Sequence, residues 1–111
     1  MKIFAFSTDD KGLEVFPNKK EAICYCEGID IENGEWVFWD EFSTNLEAKF
    51  STPNQKSKVG VVSGKYDLVP FPEGLELIEF LSNVSYVEGR GMFKNVSEVR
   101  QHLTRQAKSK R

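Results

Sequence analysis

Apolar residues along this chain recur with two spacings, one suited to strands and one to helices. Met1 to Phe6 is mostly apolar and β-prone, and Asp9-Asp10-Lys11-Gly12 follows as a turn, which predicts a first strand. Asn18 is placed as a helix N-cap, Glu21 completes a capping-box spacing, and Gly28 is the expected stop. These signals predict a helix over 18–27 with Ala22, Ile23 and Cys26 facing inward. Asn33-Gly34 is a strong turn before a second strand at Glu35–Phe42. Ser43-Thr44-Asn45 then interrupts the run, and Leu46–Phe50 returns as a hairpin partner.

The second half continues the alternation. Residues 52–58 form a polar loop, and Val59–Val62 and Tyr66–Val69 are two further strands around a hairpin turn at Ser63-Gly64-Lys65. Pro70 and Pro72 close the sheet, since proline cannot donate to a ladder. Leu75, Leu77, Ile78, Phe80, Leu81 and Val84 fall at helical spacing and predict a helix over 73–84. Val84–Glu88 is a short strand before Gly89-Arg90-Gly91. Asn95 with Glu98 caps a third helix whose stripe is Val96, Val99 and Leu103.

This order predicts an α+β fold with a mostly antiparallel sheet of four to five strands and about three helices, packed mainly on one face. The 111 residues suit one domain, expected over 1–107, with 108–111 as a frayed basic tail. A sheet covered on one side would leave its other face open to a partner.

Charge changes the picture. The net charge of −2 hides a polarised chain. From Glu21 to Glu47 there are eight acids and no Lys or Arg; from Arg90 to Arg111 there are seven basic residues and one acid, Glu98. Like charges in one segment repel each other and favour encounter with an opposite field. Trp36-Val37-Phe38-Trp39 lies inside the acidic run. On a strand Trp36 and Phe38 share one face, and Val37 and Trp39 the other, so the strand is expected to be covered twice. Tryptophans beside carboxylates have the composition of binding hot spots, and they make Asp30, Glu32, Glu35, Trp36, Trp39, Asp40 and Glu41 the candidate partner-binding set. The competing expectation is that the basic third helix lies against these acids and neutralises them.

Candidate chemistry is sparse. Cys24 and Cys26 are two apart, which is neither a redox C-x-x-C nor half of a zinc site. His102, the single histidine, has Glu98 as its one acid at helical spacing, and nothing local supports a catalytic triad around it. Asp30-Ile31-Glu32-Asn33-Gly34-Glu35 matches a calcium loop only in fragments. Ser63-Gly64-Lys65 lacks the spacing and the following helix of a phosphate loop. No enzyme activity, metal or cofactor is therefore expected. The apolar start is shorter than a signal-peptide core and no stretch reaches a membrane span, so a cytoplasmic protein is expected. Direct nucleic-acid binding through residues 90–111 is the alternative function, as a small regulatory module, and a sequence pI of about 5.5 weighs against it.

A small, acidic, aromatic-rich α+β chain without an active site resembles the immunity proteins of bacterial contact-dependent growth inhibition and related polymorphic toxin systems. The resemblance lies in size, charge pattern and overall character rather than in a motif. It implies a non-catalytic binding protein that neutralises a cognate toxin domain, often a basic nuclease, by occluding its active site with an acidic surface.

Overall fold

The computed structural model describes residues 1–109 of the chain. Its elements are built around one six-stranded sheet. Strands β1 (Ile3–Ser7) and β2 (Gly12–Phe16) form a hairpin, and helices α1 (Lys19–Tyr25) and α2 (Gly28–Glu32) follow. Then come β3 (Trp36–Asp40), β4 (Asn45–Thr52), β5 (Gln55–Ser57), β6 (Gly60–Val62) and β7 (Lys65–Pro70). Helix α3 (Leu77–Phe80) runs into a 3-10 turn at Leu81–Asn83, and β8 (Tyr86–Glu88) and α4 (Val96–Ser109) complete the fold.

Six strands pair in the order β7-β4-β3-β1-β2-β8, and β5-β6 pair separately. Every pairing is antiparallel except β2 with β8, which runs parallel. The sheet is thus larger than the four to five strands expected, and mixed. The parallel pair arises because the chain leaves one sheet edge at β7, crosses through α3, and returns at the opposite edge as β8. Strand β2 was not foreseen, because the turn at Asp9–Gly12 and the cap at Asn18 left only a few residues between them.

The helices cover both faces, which corrects the expectation of a single covered side. Along β1, Ile3 and Ala5 point to one core with Phe16, Ala22, Cys26, Phe38 and Leu68. Phe4 and Phe6 point to a second core with Leu13, Val15, Trp39, Leu77, Leu81, Val99 and Leu103. Helices α1 and α2 therefore cap one side, and α3 and α4 the other. An uninterrupted apolar run such as Ile3–Phe6 is what a doubly covered strand requires. Both faces of the central strands β1 and β3 are therefore covered.

Two local readings also change. Gly28 does not stop α1; Cys26 caps that helix, and Gly28 opens α2. Its lack of a side chain serves close packing, since a Cβ there would stand 2.7 Å from Asn54 Oδ1 and 3.0 Å from Phe50 Cε2. Ser63-Gly64-Lys65 is not a hairpin turn. The register Thr52↔Lys65 in β4–β7 continues as Gln55↔Val62 in β5–β6, so β4 through β7 is one long hairpin bent at Pro53-Asn54 and Ser63-Gly64. Its true turn is Lys58-Val59, inside or beside what was expected to be loop. The helix expected over 73–84 is shortened to Leu77–Asn83 in two kinds of turn. Helix α4 continues through Ser109, and residues 110–111 of the tail expected to fray lie outside the described residues.

Candidate functional site

Four acids of the run lie at the two ends of β3, Asp30 and Glu35 at its start and Asp40 and Glu41 at its end, and the rest sit on or beside α1, α2 and β4. At the start of β3, the tight turn at Gly34 (φ 76°) brings the chain back so that Glu35 N–H donates to Asp30 O at 2.9 Å. Thr8 N–H donates to Glu35 O at 3.0 Å, and Thr8 Oγ1 to Gly34 O at 3.0 Å. These bonds fasten the end of β1 to the start of β3 and bring Asp9 in beside Asp30 and Glu35. Partial desolvation, and then the charges of Asp30 and Asp9, push the Glu35 carboxyl above the usual carboxylate range. Asp9 was missing from the sequence reading. The pairing of Ser7 with Trp36 is what carries it there, and only a correct β1–β3 register could have shown it.

Glu32 stands apart from this cluster. Lys56 Nζ lies 3.1 Å from its Oε2, and Asn54 Nδ2 donates to Oε1 at 3.4 Å. These partners hold the Glu32 carboxyl below its ordinary value. Asp30 and Glu32 sit on helix α2, so they do not form the open loop that calcium needs.

The two tryptophans separate as their alternation requires. Trp36 is half-buried and meets Tyr25 edge to face, with ring centroids 5.9 Å apart. Tyr25 is 52% exposed, so this pair forms an aromatic shelf beside Glu35. Trp39 is only 1% exposed, and its Nε1 donates to Leu75 O at 2.7 Å. It is a core residue and offers no contact surface, which removes it from the candidate anchors.

Asp40 and Glu41 lie at the far end of β3, about 13 Å along the strand from Trp36 at its ordinary rise per residue. Asp40 Oδ1 accepts from Phe42 N at 2.8 Å and Thr44 N at 3.0 Å, so it shapes the turn into β4. Glu41 Oε1 accepts from Lys2 N at 3.0 Å. Of the seven expected site residues, the structure brings together Asp30, Glu35 and Trp36, and places the rest elsewhere.

The basic helix α4 packs on the sheet face opposite α1 and α2. It does not lie over the Asp9, Asp30 and Glu35 end. Arg90, expected as part of the basic segment, is built into the fold instead. Its Nη1 donates to Glu14 Oε1 at 2.7 Å, and its guanidinium stands 4.3 Å over the Phe16 ring and 5.1 Å from the Tyr25 ring.

Of the remaining candidates, Cys26 and His102 are packed into the fold. Burial pushes the Cys26 thiol up to about 12, so it stays protonated, and Tyr66 Oη donates to the Cys26 carbonyl at 2.5 Å. Cys24 is exposed. His102 packs against Phe4 and Phe93 at centroid distances of 6.4 and 5.4 Å. Among the described residues no group of three His, Cys, Asp or Glu is placed to hold a metal ion, and no helix is long and apolar enough to cross a membrane. No protein-family model, curated protein or solved structure matches the chain.

Proposed function

We propose that this chain is a non-catalytic inhibitor that binds a cationic toxin domain of the nuclease type through the acidic end built from Asp9, Asp30 and Glu35. The observation that carries the reading is the crowding at Glu35. Three carboxylates converge there, and the Glu35 carboxyl is raised by partial desolvation first and then by the negative charges of Asp30 and Asp9. Holding like charges together opposes folding, and a cation arriving from outside relieves that repulsion. The Tyr25–Trp36 shelf beside them supplies an aromatic anchor of the kind that concentrates binding energy.

A nuclease cleft is cationic because it holds phosphates, so a surface of clustered carboxylates with an aromatic centre suits it as a substrate mimic. Charge matching of this kind speeds encounter and selects the partner. Asp40 and Glu41 are left out of the contact, since both are engaged in the turn and with Lys2. The test is an RNA- or DNA-cleavage assay with purified basic nuclease toxin domains. Wild-type chain is expected to stop cleavage, and Asp30→Lys with Glu35→Lys to restore it. Full inhibition by the reversed variant would remove this surface from the mechanism.

A further inference from the structure

The bent hairpin carries an arm that the rest of the fold does not cover. Beyond the bend, every residue of β5 and β6 is exposed. Val59 at the tip is 98% exposed, Val61 54% and Val62 66%. Val61 pairs with Lys56 and Val62 with Gln55, so adjacent positions put one bare valine on each face of the ribbon. A two-stranded ribbon alone is marginal in water, and clustered exposed apolar side chains mark a contact surface.

Charge says what the arm fits. Residues 51–66 contain three Lys and no acid, whereas residues 21–47 contain eight acids and no Lys or Arg. The match between the two is already made once within the chain, where Lys56 meets Glu32 at 3.1 Å. Lys58, next to the tip, enters none of the ion pairs found among the described residues. The complement to an apolar, cationic tip is present elsewhere on the same molecule: exposed Tyr25 and half-buried Trp36, with Glu35 next along the chain and Asp9 and Asp30 beside Glu35.

We propose that the arm docks on a second copy of this chain, with its valines against the Tyr25–Trp36 shelf and Lys58 against the carboxylates of Asp9, Asp30 and Glu35. Each copy gives one arm and receives one, so the contact is self-complementary and closes as a two-fold dimer. The receiving surface is the same acidic end that is proposed above to meet a cationic partner, so dimer and complex exclude each other. The dimer itself does not rest on that reading, because it is tested with this chain alone.

Sedimentation velocity of the full chain, from low micromolar to near-millimolar concentration, reads the dimer directly. At low salt the dimer is expected to grow with concentration and to weaken as salt screens the charges. Val59→Ser with Val61→Ser and Val62→Ser is expected to raise the dissociation constant by about tenfold or more. These valines are exposed, so the variant is expected to fold, and circular dichroism checks that it does. Lys58→Glu alone, and Asp30→Lys with Glu35→Lys alone, should each give monomers; mixing the two variants should restore a heterodimer, since each arm then faces an opposite charge. A monomer across the whole range at low salt, a dimer indifferent to the serine variant, or no heterodimer from the mixture would overturn the inference.

Discussion

Arg90 holds Glu14 at 2.7 Å while its guanidinium lies 4.3 Å over Phe16. One side chain thereby ties the loop after β8 to the neighbouring strand β2 and to the edge of the first core. The pair is largely shielded, with side-chain exposures of 30% for Arg90 and 12% for Glu14. Arg90→Ala is expected to lower stability by about 2 kcal/mol, through the stranded Glu14 carboxylate and the lost ring contact. Arg90→Lys should recover only part of this, because an ammonium does not reproduce the planar stack. Urea unfolding of the three proteins checks the ranking.

The bend of the long hairpin is fixed at Asn54 and Gly64. Asn54 Nδ2 donates to Gly28 O at 3.0 Å, and its Oδ1 accepts from Gly64 N at 2.7 Å. Asn54→Ala should therefore cost about 1–2 kcal/mol. A Cβ on Gly64 would fall 1.9 Å from Thr52 O, against backbone that cannot step aside. Gly64→Ala should cost more, about 3 kcal/mol, and should loosen the arm. Thermal melts, with hydrogen exchange at residues 55–62, separate the two effects.

The two tryptophans should respond in opposite ways. Trp39 is enclosed and bonded to Leu75 O, so Trp39→Ala should destabilise the fold by about 3–5 kcal/mol. Trp36 is half-buried at the edge of the first core, so Trp36→Ala should cost about 1 kcal/mol and fall instead on partner binding. Denaturation midpoints beside inhibition assays read both quantities.

Acid should loosen α4 through His102. Its Nε2 is buried without a hydrogen-bond partner. Burial first, and then Lys2 and Arg105, hold its pKa below 6.5, against an upward pull from Glu41. The unfolded chain takes up the proton at the ordinary value and the folded chain resists it. The stability contributed by the neutral ring is thus complete above 6.5 and is lost as pH falls through the lower folded value. His102→Phe should flatten the fall in melting temperature between about pH 7 and 5.

Glu35 has the opposite sign. Its folded carboxyl is raised above 4.5, so the folded chain binds the proton more tightly than the unfolded one. Stability therefore declines as pH rises from 4.5 through the folded value, and the repulsion is fully present at neutral pH. Glu35→Gln should raise the melting temperature at neutral pH and leave it unchanged in acid. An unchanged melting temperature at neutral pH would mean that Asp9 and Asp30 do not press on Glu35.

Much of the fold can be read from local signals, and the misses share one physical cause. The caps at Asn18 and Asn95 are where the sequence puts them, with Asn18 Oδ1 accepting from Glu21 N at 2.9 Å and Asn95 Oδ1 from Glu98 N at 3.0 Å. The double coverage of β3 is legible in Trp36-Val37-Phe38-Trp39, although one-sided helices were expected for the sheet as a whole. What local patterns do not carry is pairing between distant segments. Strand β2 depends on β1 and on the parallel return of β8, and the bend at Ser63-Gly64 mimics a turn because Gly64 touches Thr52 and Pro53 rather than reversing the chain. The site suffers in the same way. Asp30, Glu35 and Trp36 are neighbours along the chain, whereas Asp9 joins them only through the sheet, and Asp40 leaves them because a strand separates its ends.

The carboxylates of Asp9, Asp30 and Glu35 are proposed to bind a cationic partner. Isothermal titration calorimetry with a basic nuclease toxin domain whose cleavage this chain stops tests this, comparing wild type with Asp9→Asn, Asp30→Asn and Glu35→Gln combined. Tight, salt-sensitive binding by wild type is expected, with a loss of about a hundredfold or more in the triple variant, which keeps its fold. Equal affinity of the two proteins, or no binding by wild type at low salt, would contradict it.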